Sequence, residues 1–362
     1  MAERKLATIR KISDIRPIEG ADNIELAIVN GWNVVVAKDV GHSIGDLVVY
    51  CEIDSFLPIK PEFEFLRKTS YKKMGEEEGF RLKTIKLRGQ VSQGLILPIS
   101  VLEGEDEEMK IGISKQLWGD QLQLGPYDDA TLIEVGVDVS NILGIVKYEP
   151  PIPACLAGVM KGNFPSFLKK TDEERIQNLT EYYESYKESG VKFYSTEKLD
   201  GSSATFYFND GEFGVCSRNM DLVEDATNTF WKTAIDMNLE SILRRVGTNV
   251  SIQGELIGEG VQGNPYKIKG QTIRFFNLFD IDKFEFVDMK GFKIFMEIND
   301  LETVPILDED FKLPDTIEEL IEMADGMSVL NKQTRREGLV IRSHDRTISF
   351  KVISNKFLLK QK

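Results

Sequence analysis

With 362 residues, 41% of them hydrophobic and 9% aromatic, the chain is long enough for two domains with sizeable cores and needs no disulfide staples. Two histidines, His42 and His344, are too few for a histidine-based triad or metal site, and the cysteines Cys51, Cys155 and Cys216 lie far apart with no CxxC pair, so any chemistry must run on Lys, Arg, Asp and Glu. The net charge of −14 argues against an evenly basic nucleic-acid binder, and the absence of an apolar leader or membrane-length apolar run predicts a cytoplasmic, intracellular protein with no membrane partner.

Residues 5 to 100 read as β-rich: LATIRKISDI, NIELAIVNGWNVVVAK, DLVVYCEID and RLKTIKLRGQVSQGLILPI are separated by Gly, Pro and Asp-Asn punctuation. Short strands at this spacing, with one long connection around residues 58 to 80, predict a small closed barrel of about five strands, the oligonucleotide-binding (OB) architecture. The opening IRKISDIRPIEGADNIELAIVNGW resembles the tRNA-binding type of that fold. Charge is uneven here. LRKTSYKKMGEEEGFRLKTIKLRG carries eight Lys and Arg against three glutamates, which is either a phosphate-holding patch on an acidic protein or a plain solvated face.

Residues 101 to 150 are acidic and loop-rich and are assigned to an extension of the N-terminal domain and a junction. YEPPIPACLAGVMKGNFPSF, with four closely spaced prolines, marks the change of domain, and a second domain is set at residues 151 to 362. KTDEERIQNLTEYYESYKESG then combines an N-cap signal, an acidic first turn, apolar spacing and a terminal glycine, which predicts a helix.

From residue 191 onward, strands alternate with a clear helix, VEDATNTFWKTAIDMNLESILRRVG, and a second one, DTIEELIEMADGM. The predicted fold class is therefore α+β: an OB-like β-barrel over residues 1–100, followed by an antiparallel-sheet-rich domain and not a doubly wound one. Neither a G-x-G-x-x-G nor a Walker A motif occurs, so a nucleotide, if bound, is not held by a phosphate loop.

Within this domain EKLDGSS, residues 197 to 203, stands between VKFYST and ATFYF. The flanks read as two strands, which puts Lys198 at a strand end beside a tight bend, as a turn ornament or as a nucleophile. Further elements follow in order: Ser217-Arg218-Asn219, QGELIGEGVQGN at 253 to 264, RFFNLFDI at 274 to 281, REGLVIR at 336 to 342 and ISFKVIS at 348 to 354. In this order they resemble the covalent nucleotidyltransferases, the lysine-adenylating ligases and guanylylating capping enzymes, and the resemblance implies an ATP-grasp-like ligase domain.

The chemistry agrees with that likeness. An amine attacking the α-phosphorus of ATP must be unprotonated, whereas free lysine titrates near ~10.4, so the site must lower its pKa or orient a neutral minority, and nearby cations, a metal among them, would favour the neutral form. The resemblance implies that Lys198 carries AMP as a phosphoamide, that Arg218 and Lys351 neutralise phosphate charge, and that Glu197 and Leu199 flank the nucleophile in the nucleotide site. It further implies that Asp200, Glu255 and Glu337 contact the ribose or hold Mg²⁺ or Mn²⁺ through water, and that Phe276 stacks on adenine while Phe279 stays in the core. One position departs from the family pattern: where two lysines separated by one residue are common, ISFKVIS has Ser349 and then Lys351, and Lys356 or Arg342 is left to supply the missing charge.

DNA ligases and capping enzymes carry an OB domain after the last lysine, and here only eleven residues follow Lys351. An OB domain at the N-terminus instead resembles the nick-sealing RNA ligases of the deinococcal and amoeboid type, and GELIGEGVQ is similar to the GELxGxGIQ element of phage-type RNA ligases. That resemblance implies an ATP-dependent, monomeric RNA ligase that joins a 3′-hydroxyl to a 5′-phosphate in nicked duplex RNA or an RNA/DNA hybrid. Lys83, Lys86 and Arg88 in the barrel, and Lys161, Phe164 and Arg175 at the junction, are the expected nucleic-acid contacts. An mRNA-capping guanylyltransferase and a non-catalytic RNA-binding protein stay open as alternatives.

Overall fold

A computed structural model describes residues 5–102, 122–124, 131–149 and 158–360, so Cys155, the proline run before it and most of the acidic stretch lie outside the described residues. The chain divides into two compact units, Met1–Pro151 and Ile152–Lys362.

In the first unit the strand Leu47–Cys51 lies between Ala7–Lys11 and Leu95–Pro98, antiparallel to both. It is buried on both faces. Val49 and Cys51 join Ala7, Ile9, Phe63 and Phe80 in one core, whereas Val48 and Tyr50 join Trp32 and Val34 in another, as the two-residue strand repeat requires. A meander of Asp14–Pro17, Ile24–Val29 and Trp32–Ala37 covers the second core. The ladders are shared among several small sheets and a hairpin, Ile85–Leu87 with Gln90–Ser92. The long connection also has structure of its own: a 3-10 turn at Pro61–Leu66, a helical turn at Arg67–Ser70 and a hairpin of Tyr71–Met74 with Glu77–Arg81. From the far side of the acidic stretch, Val139, Leu143 and Ile145 return to the first core.

The second unit is built on two antiparallel sheets. The larger runs in the order Met160–Asn163, Met220–Leu222, Glu212–Cys216, Ser202–Asn209, Val250–Gly258, Gln271–Asp280, Glu285–Phe286. The smaller runs Ile306–Phe311, Phe193–Lys198, Gly338–Ser343, Ser349–Ile353. The chain leaves the smaller sheet at Lys198 and enters the larger at Ser202, so residues 199 to 201 are the crossing between sheets.

Three helices differ from expectation. The predicted helix from Lys170 forms only at Thr180–Glu188. Its apparent acidic first turn is extended chain: Arg175 bridges Lys351 in parallel and Lys351 N–H donates to the Glu174 carbonyl at 2.7 Å, so this strap lies against the edge strand. The long helix after residue 223 is two, Thr229–Asp236 and Leu239–Arg244, broken at Asn238, whose φ of 54° lies in the left-handed region. Met289–Ile298 is a helix that the sequence reading missed, since its aromatic, β-branched and glycine content masks the periodicity. DTIEEL behaves as read, with Thr316 and Glu319 forming a reciprocal capping box.

Candidate active site

The crossing at residues 199 to 201 is tight because Gly201 has no side chain: a Cβ there would stand 2.4 Å from the Leu256 carbonyl oxygen. Gly338, opposite Lys198 in the strand pair, is under the same constraint from the Val352 carbonyl at 2.0 Å. These two glycines let three strands close up around Lys198. Leu199 points inward and packs with Ile257, Tyr266 and Val304.

Lys198, Asp200, Arg218, Glu255, Phe276, Glu337 and Lys351 line one cleft of about 530 Å³, with Glu197 and Leu199 in its wall. Segments as far apart in sequence as Thr171 and Lys351 therefore meet at one place. The Lys198 ammonium donates to Glu337 at 2.7 Å, with a quarter of its side chain exposed (25%). Burial disfavours its charge, but the Glu337, Glu255 and Asp200 carboxylates outweigh burial and raise its pKa above the ordinary lysine value. The surrounding carboxylates thus hold the amine in its charged form, and the neutral form that attack requires is left to added positive charge.

The carboxylates bear the complementary strain. Burial, reinforced by Glu337 and opposed by Lys198, pushes Asp200 up to about 6. Burial also pushes Glu255 up to about 7, against the attraction of Lys198. Lys351 moves the other way, down to about 8, through burial and the nearby charges of Lys198 and Arg175. Among the described residues no group of three His, Cys, Asp or Glu is spaced to hold a bare metal ion. The cluster instead has an excess of buried negative charge that a hydrated cation could offset.

Other cleft side chains are paired. Arg218 is bound to Asp172 at 2.6 Å, with 64% of its side chain exposed. Arg342 donates to Glu173 through Nε at 3.1 Å and Nη2 at 2.8 Å and to Thr196 through Nη1, and its guanidinium stands 5.4 Å from the centre of the Phe276 ring. Ser349, at the position of the missing lysine, donates to the other oxygen of Glu173. Of the two proposed replacements, Arg342 lines the cleft, whereas Lys356 is tied to Asp325 at 2.7 Å. Phe276 is half-buried beside Leu199 and Val304, and Phe279 is fully buried. The Glu197 carboxylate is turned inward, accepting the Val329 N–H at 2.8 Å.

The remaining expected residues stand elsewhere. Lys161 is exposed near Asp221 and Glu212, at 3.8 and 4.0 Å. Phe164 packs against the cluster of Tyr207 and Phe279, and Arg175 lies next to Lys351 in the strap. Lys83, Lys86 and Arg88 are exposed on and beside the Ile85–Leu87 hairpin of the first unit, with Arg88 at a φ of 47° in its turn. Sequence reasoning missed Asp172 and Glu173, whose signal, acidic residues directly after a proline-rich junction, passed for a helix start.

Comparison with known proteins adds to this geometry. Residues 191–360 match a family described as RNA ligase, and residues 6–99 match one described as an OB-fold domain. Among curated proteins there is no match. Among solved structures the chain is similar to an apo Naegleria gruberi RNA ligase variant, with 40% identity, a TM-score of 0.79, and 100% of this chain and 99% of that one covered. It is also similar to variants of that ligase with AMP and Mn (42% identity, TM-score 0.78) and with ATP and Mn (41%, 0.78), each covering 99% of both chains.

Proposed function

The chain belongs to the RNA ligase family, and from that premise we propose that Lys198 is the amine that takes AMP from ATP. The protein is an ATP-dependent RNA ligase that works with a divalent metal ion and passes through a covalent lysyl-AMP intermediate. The observation that carries the assignment is the position of Lys198 at the sheet crossing, facing three carboxylates and a second lysine in one cleft.

In the first step the Lys198 amine, having lost its proton, attacks the α-phosphorus; a nitrogen–phosphorus bond forms and the bond to pyrophosphate breaks. A 5′-phosphate oxygen then attacks the same phosphorus and frees the lysine, and the 3′-hydroxyl finally attacks the activated 5′-phosphate as AMP leaves. Asp200, Glu255 and Glu337 would hold the metal through its waters, and the buried, undercompensated charge of the first two fits such an ion. When bound, the ion supplies positive charge that offsets the carboxylates and lets Lys198 release its proton. Arg218 and Lys351 would face the phosphates. Phe276 would face the base, and Glu197 and Leu199 would shape the wall behind it.

The substrate in this reading is a nick in duplex RNA or in an RNA/DNA hybrid, sealed by a monomer inside the cell. Lys83, Lys86 and Arg88 would grip the duplex, with Lys161, Phe164 and Arg175 beside the broken strand. Among the described residues no helix is long and apolar enough to cross a membrane.

Incubation with α-labelled ATP and divalent metal, followed by a denaturing gel, tests the assignment. Label should appear on the wild type and vanish in Lys198→Ala. Label persisting in that variant, or appearing only with GTP, would overturn it.

A further inference from the structure

The loop at residues 259–270, between the strands Val250–Gly258 and Gln271–Asp280, touches the nucleophile turn twice. The Asp200 backbone N–H donates to the Tyr266 hydroxyl oxygen at 2.6 Å, and the Gln262 side-chain amide donates to the Gly201 carbonyl at 3.2 Å. Tyr266 is buried, with 5% exposure, and its ring packs on Leu199, the residue between Lys198 and Asp200. The loop is shaped for this reach: Gln262, Asn264 and Lys267 all take left-handed backbone angles, at φ of 45°, 50° and 55°, a region that asparagine enters readily and that is uncommon for Gln and Lys. Asn264 fixes the bend by pairing with both the N–H and the carbonyl of Ile268.

A second loop, residues 325–336, holds the other flank of the nucleophile. Val329 N–H binds the Glu197 carboxylate at 2.8 Å, and the two loops are joined by Asn331 to the Pro265 carbonyl at 2.8 Å and by Lys267 to Gln333 at 2.7 Å. The residues on both sides of Lys198–Leu199 are thus pinned from behind by one connected structure.

We propose that Tyr266, assisted by Gln262, is a positioning residue for self-adenylation: its hydroxyl oxygen anchors the Asp200 amide and so fixes the direction in which Lys198 leaves the sheet. The proposal rests on the reading of Lys198 as the nucleophile. The hydroxyl takes no part in bond making; it limits the orientations from which the amine must find the line opposite pyrophosphate. Its loss should therefore fall on the rate of the chemical step more than on nucleotide binding.

Tyr266→Phe is the informative variant, since it keeps the ring on Leu199 and removes only the acceptor. Adenylation by this variant should be at least ten-fold slower at saturating ATP, with KM for ATP within two-fold of wild type and only the small drop in melting temperature, about 2–4 °C, that one unpaired amide entails. Gln262→Ala should show a smaller loss of the same kind, and the double variant should lose less than the product of the two, because both act on one turn. Hydrogen exchange at the Asp200 amide, read by NMR, should accelerate in Tyr266→Phe. Wild-type adenylation rates in that variant, or a rise in KM with the rate at saturation retained, would overturn the proposal. Unchanged Asp200 exchange would overturn it whether or not Lys198 accepts the label, which separates its failure from that of the nucleophile assignment.

Discussion

The Lys198 ammonium and the Glu337 carboxylate are in contact at 2.7 Å, bridging the end of one strand and the start of its neighbour. Glu337 is the largest of the attractions that hold Lys198 charged against the effect of burial. Replacing Glu337 by Gln should therefore lower the pH at which the adenylation rate rises, because the neutral amine becomes easier to reach. The rate at saturation should still fall by about 10²- to 10³-fold, as for loss of one group in a preorganised electrostatic site. A pH–rate profile of self-adenylation measures both, and an upward move of the midpoint would contradict the assignment.

Glu255 gives a test by stability. Its folded pKa of about 7 lies above the ordinary 4.5, so its contribution is full below 4.5 and is lost as pH rises through 7. Glu255→Gln should therefore melt about 2–4 °C higher than wild type at pH 8, for an effect of about 1 kcal/mol, and no higher at pH 4.5. Added Mg²⁺ or Mn²⁺ should narrow the gap by stabilising the wild type alone. Calorimetry across this range decides.

Glu173 runs in the opposite sense. Burial alone would raise its pKa, but Arg342, Ser349 and Arg346 outweigh burial and hold it below the usual 4.5. Its stabilisation is present above 4.5 and lost as pH falls through the folded value, so acid should weaken the strap. Glu173→Ala leaves the Arg342 guanidinium, only 3% exposed, without its carboxylate, and should cost about 3–5 kcal/mol in denaturant unfolding.

Phe276 and Phe279, on the same strand, should separate cleanly. Phe276→Ala should raise KM for ATP about 5- to 150-fold, the loss of ~1–3 kcal/mol of base stacking, with little change in stability. Phe279→Ala, at a fully buried position, should destabilise by about 3–5 kcal/mol instead. Steady-state kinetics and chemical unfolding of the two variants make the comparison.

For nucleic acid, the triple variant Lys83→Ala, Lys86→Ala, Arg88→Ala should adenylate normally and seal nicks poorly. The slope of log affinity against log salt should become shallower by about 0.9 for each phosphate contact removed. An unaltered slope would take the duplex grip away from this hairpin.

Much of the site was legible because its residues fall at strand ends, where short motifs mark the turns; that Gly201 and Gly338 are close-approach positions emerged only from the geometry. Two-residue alternation likewise gave away the strands. Less visible was anything whose partner lies far along the chain. Asp172 and Glu173 look like a helix start because local rules count acidic residues after a threonine as capping, and nothing local shows that Arg218 and Arg342 wait for them. The state of Lys198 was hidden for a similar reason, since it depends on carboxylates 2, 57 and 139 positions away. Tyr266 was passed over because a tyrosine in a glycine-rich loop reads as core filling.

The strap at residues 171–175 has a consequence for how nucleotide enters. Arg218 is held by Asp172, Arg342 by Glu173 and Lys198 by Glu337, so three of the cleft's cations are already engaged before a triphosphate enters. Loading is then an exchange of anions, carboxylate for phosphate, in which dissolved salt weakens the old pairing and the new one alike. Nucleotide uptake by this enzyme should be nearly indifferent to ionic strength, while its hold on the polynucleotide is not.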